Sequence, residues 1–165
     1  MAYGPHAVAH LAGKVVLVRG AAPGERVEIR LREQREHLAF AEVTRVLEPA
    51  AARRVPPCRY LPQCGGCPWQ HLDYPAQLAG KAAALRDTLR HLGRLADVQP
   101  LPPLPSPQEF GYRHRLKLRV AAGEIGFYAA ASHDLVAIEH CLLADAEIDA
   151  ALVATREWLA GLRSD

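Results

Sequence analysis

Four cysteines carry the most specific chemistry in this sequence. Three lie within one short loop and the fourth lies far downstream: Cys58, Cys64, Cys67 and Cys141. Two glycines follow Cys64 and let the backbone turn sharply before Cys67, because glycine has no Cβ to clash. Three thiolates on one loop and a distant fourth are typical of a chain that wraps a metal ion or an iron–sulfur cluster.

Disulfides and zinc are the alternatives to a cluster. The N-terminus has no basic start with a long apolar run, and no apolar stretch of about 18 residues occurs, so we expect a cytoplasmic protein without membrane contact. Cytoplasmic thiols stay reduced, which disfavours disulfides. Zinc prefers paired C-x2-C or C/H knuckles, and only Cys64 and Cys67 have that spacing. His71 and His140 could act as substitute ligands, but we interpret both as ordinary polar neighbours.

The distribution of charge is more informative than the net charge of +2. Residues 53–119 carry 11 basic and 4 acidic side chains, a net of +7, whereas residues 120–165 carry 2 basic and 8 acidic, a net of −6. A basic centre around the cysteines suits a polyanion. It equally suits a cluster whose four thiolates are negative, so both explanations stay open.

A row of basic side chains in segment 112–120 is the second candidate site. The alternation there predicts a strand with Leu116, Leu118 and Val120 facing inward. The candidate RNA contacts on this strand are Arg113, Arg115, Lys117 and Arg119. Like charges on one strand face cost stability unless an anion compensates, and Tyr112 and Phe110 offer stacking surface beside them. The alternative is a solvated strand whose charges pair with neighbouring acids.

The N-terminal region is predicted to form a small five-stranded barrel of the kind that binds single-stranded nucleic acid on one face. Its strand candidates are Lys14–Arg19, the alternating run Val27–Leu31, and His37–Leu47. Proline and glycine in the segment Ala22-Pro23-Gly24-Glu25 predict a turn between the first two. A solvated barrel face is the simpler interpretation of the charges in this region.

Two helices and further strands complete the elements predicted from the pattern. One helix is expected to start at the N-cap Asp73 and stop at Gly93, and a second to start at Asp145. Their apolar stripes comprise Leu78, Ala82, Leu85, Leu89 and Leu92 in the first helix and Ile148, Leu152, Leu159 and Leu162 in the second. Five prolines predict an extended connector over 98–107. Strands are expected over 124–128 and 134–139, with turns or bulges at Gly123 and Gly126.

The sequence resembles the iron–sulfur RNA (uracil-5-)-methyltransferases along nearly its whole length. The matching segments are Cys58-x5-Cys64-Gly65-Gly66-Cys67-x-x-Gln70-His71, Gln77, Lys81, Tyr112-Arg113-x-Arg115, Gly123-x-x-Gly126-Phe127-Tyr128 and Cys141. Their TRAM domain is resembled by Ala2-Tyr3-Gly4, Gly13-Lys14-Val15-Val16, Val18 and Pro23-Gly24-Glu25. The cysteine frame is the more specific of the two resemblances.

This resemblance implies an α+β chain with a TRAM/OB-like barrel and an iron–sulfur central domain containing an antiparallel sheet. It implies a barrel over 1–50, which could lack its first strand, a central domain over 51–145, and a helix over 146–165. It also implies a [4Fe–4S] cluster bound by Cys58, Cys64, Cys67 and Cys141. The implied partner is rRNA or tRNA in a single-stranded or loop region, and we expect a monomer.

The resemblance also implies a methyltransferase domain that would follow Asp165, and S-adenosylmethionine would bind only there. Methylation of uracil carbon 5 needs a thiolate nucleophile and a base, and the cluster would occupy all four cysteines. We therefore name no catalytic residue and expect the chain to be inactive alone, although its family is enzymatic. The favoured function is the RNA-recognition half of a 23S rRNA or tRNA (uracil-5-)-methyltransferase. The alternatives are a free-standing, non-catalytic RNA-binding iron–sulfur protein and, less favoured, a small electron carrier.

Overall fold

The computed structural model describes residues 4–61 and 63–162. Within that part the elements are β1 (His6–Leu11), β2 (Lys14–Arg19), β3 (Arg26–Gln34), β4 (Leu38–Glu48), α1 (Tyr74–His91), β5 (Arg119–Ala121), β6 (Glu124–Tyr128), β7 (Leu135–Ala137) and α2 (Ala146–Gly161). The predicted α+β composition is confirmed. Ala2 and Tyr3 of the TRAM resemblance, Pro62 of the cysteine loop and residues 163–165 of the predicted last helix lie outside the described residues.

The chain divides into two compact units that interleave along the sequence. The first unit comprises Met1–Pro56 and Pro68–Pro105, and the second comprises Pro57–Cys67 and Ser106–Asp165. The cysteine loop therefore belongs to the second unit, whose other residues lie much later in the sequence. The predicted domain boundaries at residues 50 and 145 remain predictions. The two units described here are groups of residues that contact one another, and they need not coincide with domains.

The first unit contains a four-stranded sheet in the order β1-β2-β4-β3. Strands β1 and β2 form an antiparallel hairpin, β2 pairs with β4 in parallel, and β3 pairs with β4 antiparallel through three register shifts. Its buried core consists of small side chains: Ala7, Val16, Val18, Ala21, Ala39 and Ala41. A five-stranded barrel was expected, whereas the described part of this unit contains a sheet of four paired strands.

Strand β1 was not predicted from the pattern. Its sequence, His-Ala-Val-Ala-His-Leu, contains a single β-branched residue, and only Ala7 of its six residues is buried. Pairing with β2 along its whole length makes it a strand. Ala12 and Gly13 connect the two with φ of 48° and 76°, the positive angles of a tight hairpin turn.

The turn after β2 was predicted correctly, and a buried ion pair holds it in place. Gly24 has a φ of 82°, and the Glu25 carboxylate, fully buried, accepts from the Ala22 N–H at 2.7 Å. The Arg53 guanidinium donates to the same carboxylate at 2.7 Å and to the Gly20 carbonyl at 2.7 Å. This cluster holds the segment after β4 against the turn, and the sequence pattern gave no sign of it.

Helix α1 begins where the sequence predicts, because the Asp73 carboxylate accepts from the Ala76 N–H at 2.8 Å. The apolar stripe of this helix is only half covered, and Leu85 and Leu92 are exposed. The proline-rich connector after it forms neither helix nor strand, as expected. Neither this helix nor any other in the described part is both long and apolar enough to cross a membrane.

The second unit is built on the antiparallel sheet β5-β6-β7, as predicted. Ile125, Ile138 and Leu152 form its buried core, so the first half of α2 packs on the sheet. A Cβ on Gly126 would overlap the Val136 carbonyl, so close pairing of β6 and β7 requires glycine there. Asp145 caps α2 by accepting from the Ile148 N–H at 2.8 Å, as predicted.

The predicted long strand over 112–120 is wrong, because only Arg119–Ala121 is a strand. Arg113 pairs instead with the segment before α2, through its N–H to the Leu143 carbonyl at 2.8 Å. Within the described part of the chain, residues 114–118 pair with no strand, yet Leu116 and Leu118 remain half-buried. Val120, expected to face inward, is 56% exposed on β5, which is an edge strand of its sheet.

Candidate functional site

The cysteine loop is held against the end of β6. The Gly65 N–H donates to the Tyr128 carbonyl at 3.0 Å, and the Ala130 N–H donates to the Gln63 carbonyl at 3.2 Å. Between these bonds Cys64 forms a bridge with Ala129 and is buried. These bonds place the Cys64 thiol in the second unit, although the sheet of that unit begins only at Arg119.

The start of the same loop is held by the segment that leads to Cys141. The Tyr60 hydroxyl accepts from the Glu139 N–H at 2.8 Å, and Arg59 forms an exposed ion pair with the Glu139 carboxylate. Cys58, Cys64 and Cys67 therefore share one unit with the fourth cysteine.

Cys141 lies between the sheet and the first turn of α2. Its N–H donates to the Asp149 carboxylate at 2.8 Å, and its side chain packs against the core of Ile125, Ile138 and Leu152. The second oxygen of Asp149 contacts the His140 imidazole at 2.7 Å. The fourth thiol is thus fixed by both backbone and packing.

No disulfide joins any two of the four cysteines, which all lie among the described residues. Burial raises the pKa of the Cys64 thiol, and the charges of Cys58 and Cys141 raise it further. The Gly66 N–H, 3.4 Å from the Cys64 sulfur, opposes this shift. The charges of Cys58 and Cys141 therefore act on the Cys64 thiol, although Cys141 lies far from it in the sequence. Among the described residues, no group of three or more His, Cys, Asp or Glu side chains is arranged to hold a metal ion.

The two histidines named as substitute ligands both have protein partners. The buried His71 ring lies in the first unit, with Nε2 3.1 Å from the Ala21 carbonyl oxygen, and burial lowers its pKa. His140 lies beside Asp149 in the second unit. These contacts agree with the interpretation of both as ordinary polar neighbours.

The predicted basic residues are all exposed: Arg113, Arg115, Lys117 and Arg119. Across residues 4–61 and 63–162, none of the four forms an ion pair. The alternative, that neighbouring acids neutralise this row, therefore finds no support in the described residues. Uncompensated positive charge on one short segment is an electrostatic binding surface for an anion.

The aromatic partner of this row is a residue that the sequence reasoning did not assign to it. The Arg119 guanidinium carbon lies 5.2 Å from the Tyr128 ring centre, and the Tyr128 ring is partly exposed. Tyr112 and Phe110, the predicted stacking residues, are exposed and half-buried respectively. Tyr128 could have been found from the hairpin register, because Arg119 lies opposite Gly126 and Tyr128 is two residues further on.

The comparisons with known proteins agree with one another. The TRAM domain family matches residues 4–44. An "Uncharacterized RNA methyltransferase" of Aquifex aeolicus is 37% identical over 96% of this chain and 37% of its own length. A "23S rRNA (uracil(1939)-C(5))-methyltransferase RlmD" of Pseudomonas putida is 43% identical over 81% of this chain and 31% of its own length.

A solved structure adds the fold. The Pyrococcus abyssi tRNA (uracil-54, C5)-methyltransferase, in complex with S-adenosyl-L-homocysteine, matches with a TM-score of 0.67 and 25% identity. The match covers 96% of this chain and 35% of that one. The chain belongs to the RNA uracil-5-methyltransferase family.

As a member of this family, the chain spans about a third of the length of the relatives it matches. The TRAM match coincides with the first unit's four-stranded sheet, which covers residues 6–48. The basic row and the cysteines lie in the second unit, outside the TRAM match.

Proposed function

We propose that this chain is the RNA-recognition part of a methyltransferase acting on uracil carbon 5 of ribosomal or transfer RNA. The single observation that carries the proposal is the exposed basic row of the second unit, Arg113, Arg115, Lys117 and Arg119, without an ion pair among the described residues. A cytoplasmic location goes with this proposal. Methyl transfer from S-adenosylmethionine is assigned to the part of the relatives that this chain does not match.

The physical argument for RNA is compensation of charge. Some other arginines of the chain are neutralised locally, as Arg26 is by Glu48 and Arg32 by Glu42. Side chains of the basic row instead point like charges into water, which costs stability until a polyanion arrives. Phosphates of an RNA strand supply that negative charge, and contact with them releases counterions.

The four thiols support the second half of the proposal, a [4Fe–4S] cluster bound by Cys58, Cys64, Cys67 and Cys141. The donor set fits in its chemistry, since no disulfide joins the four cysteines and all four lie in one unit. A single zinc ion would require sulfurs about 3.8 Å apart, given Zn–S bonds of about 2.3 Å in a tetrahedron. A cube distributes its ligands over four irons and needs no such close group.

The cluster, when bound, supplies iron–thiolate bonds that would cross-link the loop at residue 58 to the start of α2. The protein's own contribution is the backbone pairing at Gly65 and the hydrogen bond that the Cys141 N–H donates to Asp149, which hold the two ligand segments. The proposed role is structural support for the basic segment that ends in β5 of the same sheet.

A salt titration of RNA binding tests the proposed function. Arg115 and Lys117 are changed together to alanine, and binding to a labelled single-stranded RNA is measured over a range of salt concentrations. We expect weaker binding and a salt slope flatter by about 1–2 units, because fewer counterions are released. The matched control is Arg86→Ala with Arg90→Ala on α1, which removes the same charge from an exposed helix face.

The control separates a local interface from general attraction. If the control pair weakens binding as much as the Arg115 and Lys117 pair, the basic row is not an interface. If the parent protein fails to bind RNA even at low salt, the RNA-recognition function itself is wrong.

A further inference from the structure

Tyr128 presents an aromatic ring at the end of the basic row. Tyr128 as a whole is 38% exposed, although it is the last residue of the central strand β6. The Arg119 guanidinium carbon lies 5.2 Å from the ring centre, and the His133 ring centre lies 5.0 Å away at an interplanar angle of 74°. An aromatic ring, an imidazole and a guanidinium are the three side-chain groups on which nucleobases stack.

The backbone at Tyr128 is fixed on both sides, so its ring is positioned in advance. The Tyr128 carbonyl accepts from Gly65, and the next residue, Ala129, donates to the Asp134 carbonyl at 2.8 Å. Tyr128 also pairs with Leu135 of β7. A side chain on such a backbone loses little conformational freedom when a ligand binds, which lowers the cost of binding.

We propose that Tyr128 is a stacking site for an unpaired nucleobase of RNA, with Arg119 contacting the ring and the adjoining phosphate. This inference rests on the proposed RNA-binding function and deepens it, because it divides the interface into two chemistries. Arg113, Arg115 and Lys117 bind phosphates, which every nucleotide carries. Tyr128 binds a base, which only single-stranded or loop RNA can offer without first breaking a stack.

The two chemistries respond differently to salt and to the loss of a base. Phosphate contacts weaken as salt rises, because the released counterions are already abundant in solution. Stacking on a neutral ring has no such counterion term. The Tyr128 contribution should therefore persist at salt concentrations where that of the basic row has largely vanished.

Two probes distinguish the chemistries: a labelled oligouridylate of about 12 nucleotides, within the site sizes of single-strand binders, and an abasic ribose-phosphate chain of equal length. For Tyr128→Ala we expect about fivefold or greater loss of affinity for the oligouridylate, and no loss for the abasic chain. Tyr128→Phe should bind both probes like the parent, because it keeps the ring.

Two further variants guard against trivial explanations. Tyr128→Leu keeps apolar bulk at the position without a ring, so it should fold like the parent and still lose the base-dependent affinity. Trp158→Ala removes another aromatic ring, 64% exposed on α2, and should change binding to neither probe.

The outcomes separate this site from the function on which it rests. If the parent binds both probes and Tyr128→Ala and Tyr128→Leu do so equally well, the stacking site is wrong and the basic row alone carries binding. If the parent prefers the oligouridylate to the abasic chain and both variants abolish that preference, the site is established. If the parent binds neither probe, the RNA-recognition function fails and the stacking site with it.

Discussion

Gly65 donates its backbone N–H to the Tyr128 carbonyl at 3.0 Å, so the cysteine loop and the proposed base-stacking residue share one hydrogen bond. The contact is close, since a Cβ on Gly65 would lie 3.1 Å from that carbonyl oxygen and 3.2 Å from the Ala130 Cα. Any change that moves the loop must therefore move the end of β6. This bond connects the two halves of the proposed function, the cluster and the RNA surface.

Gly65→Ala should destabilise the protein by about 1–3 kcal/mol, as overpacking of a close contact does. The neighbouring atoms belong to backbone that is already hydrogen-bonded, so they cannot move aside freely. Thermal unfolding of anaerobically prepared protein measures the effect. Gly161→Ala, where nothing lies within 4 Å of the new Cβ, is the control and should unfold like the parent or later. Equal midpoints for Gly65→Ala and the parent would show that the loop is not packed as described.

Anaerobically purified protein should be brown, with broad absorbance near about 400 nm and about four irons per chain. Cys64→Ser and Cys141→Ser should each lose this absorbance and lower the unfolding midpoint, because both remove a link between distant segments. Iron content and absorbance are measured together.

His140→Ala is the control for this experiment, since His140 contacts Asp149 and should not be needed as a ligand. Loss of iron in this variant would place a histidine in the ligand set. Stoichiometric zinc without iron in the parent protein would contradict the cluster altogether.

Glu25→Gln should destabilise the protein at neutral pH by about 3 kcal/mol, the scale for breaking one side of a buried ion pair. Burial alone would raise the pKa of Glu25, but hydrogen bonds from Arg53 and from the Ala22 and Ala50 N–H groups outweigh it, so the pKa is lowered below its ordinary value of 4.5. A lowered pKa means that the stability contribution is complete above 4.5 and is lost as pH falls through the folded-state pKa.

Unfolding free energy measured from pH 7 down to about pH 3 checks this dependence. The parent should lose stability below pH 4.5, and Glu25→Gln should lose less over the same window. Glu48→Gln is the control, because its ion pair with Arg26 is exposed and such pairs contribute about 0–1 kcal/mol. A parent and a Glu25→Gln variant with parallel pH profiles would contradict the lowered pKa.

The chain alone should transfer no methyl group from S-adenosylmethionine to RNA. Carbon 5 methylation needs a thiolate that adds to the ring and a base that removes a proton, and the proposed cluster occupies all four cysteines. Incorporation of a labelled methyl group into ribosomal or transfer RNA is the measurement. Methylation above the level of a protein-free reaction, by pure protein, would disprove the prediction.

Features that depend on a few neighbouring residues were predicted well from the sequence. Asp73 and Asp145 cap their helices because each carboxylate reaches an N–H only three residues on. Gly24 follows proline in a tight turn for the same local reason. The resemblance of the cysteine frame led to the family that the comparisons support. The ligand set itself stays a prediction.

Strand boundaries were predicted less well, because a strand exists only where a partner pairs with it. The sequence alternates strictly from Arg115 to Val120, as a strand would, yet among the described residues only Arg113 forms a bridge to another segment before β5 begins. Strand β1 has a poor strand sequence but pairs with β2 over all six residues. Hydrogen bonds to a second segment decided both cases, and a local pattern contains no information about that segment.

By itself the sequence determined the thiols, the helix caps, the turns and the exposure of the basic row, since these follow from residue types and short spacings. Only the tertiary structure decided that Arg53 neutralises Glu25 and that the charge of Cys141 acts on Cys64. Each of these pairs joins residues that sequence distance separates. Residues so far apart in the sequence come into contact only when the chain folds. Which of them meet therefore depends on how the strands pair and on which core side chains pack together.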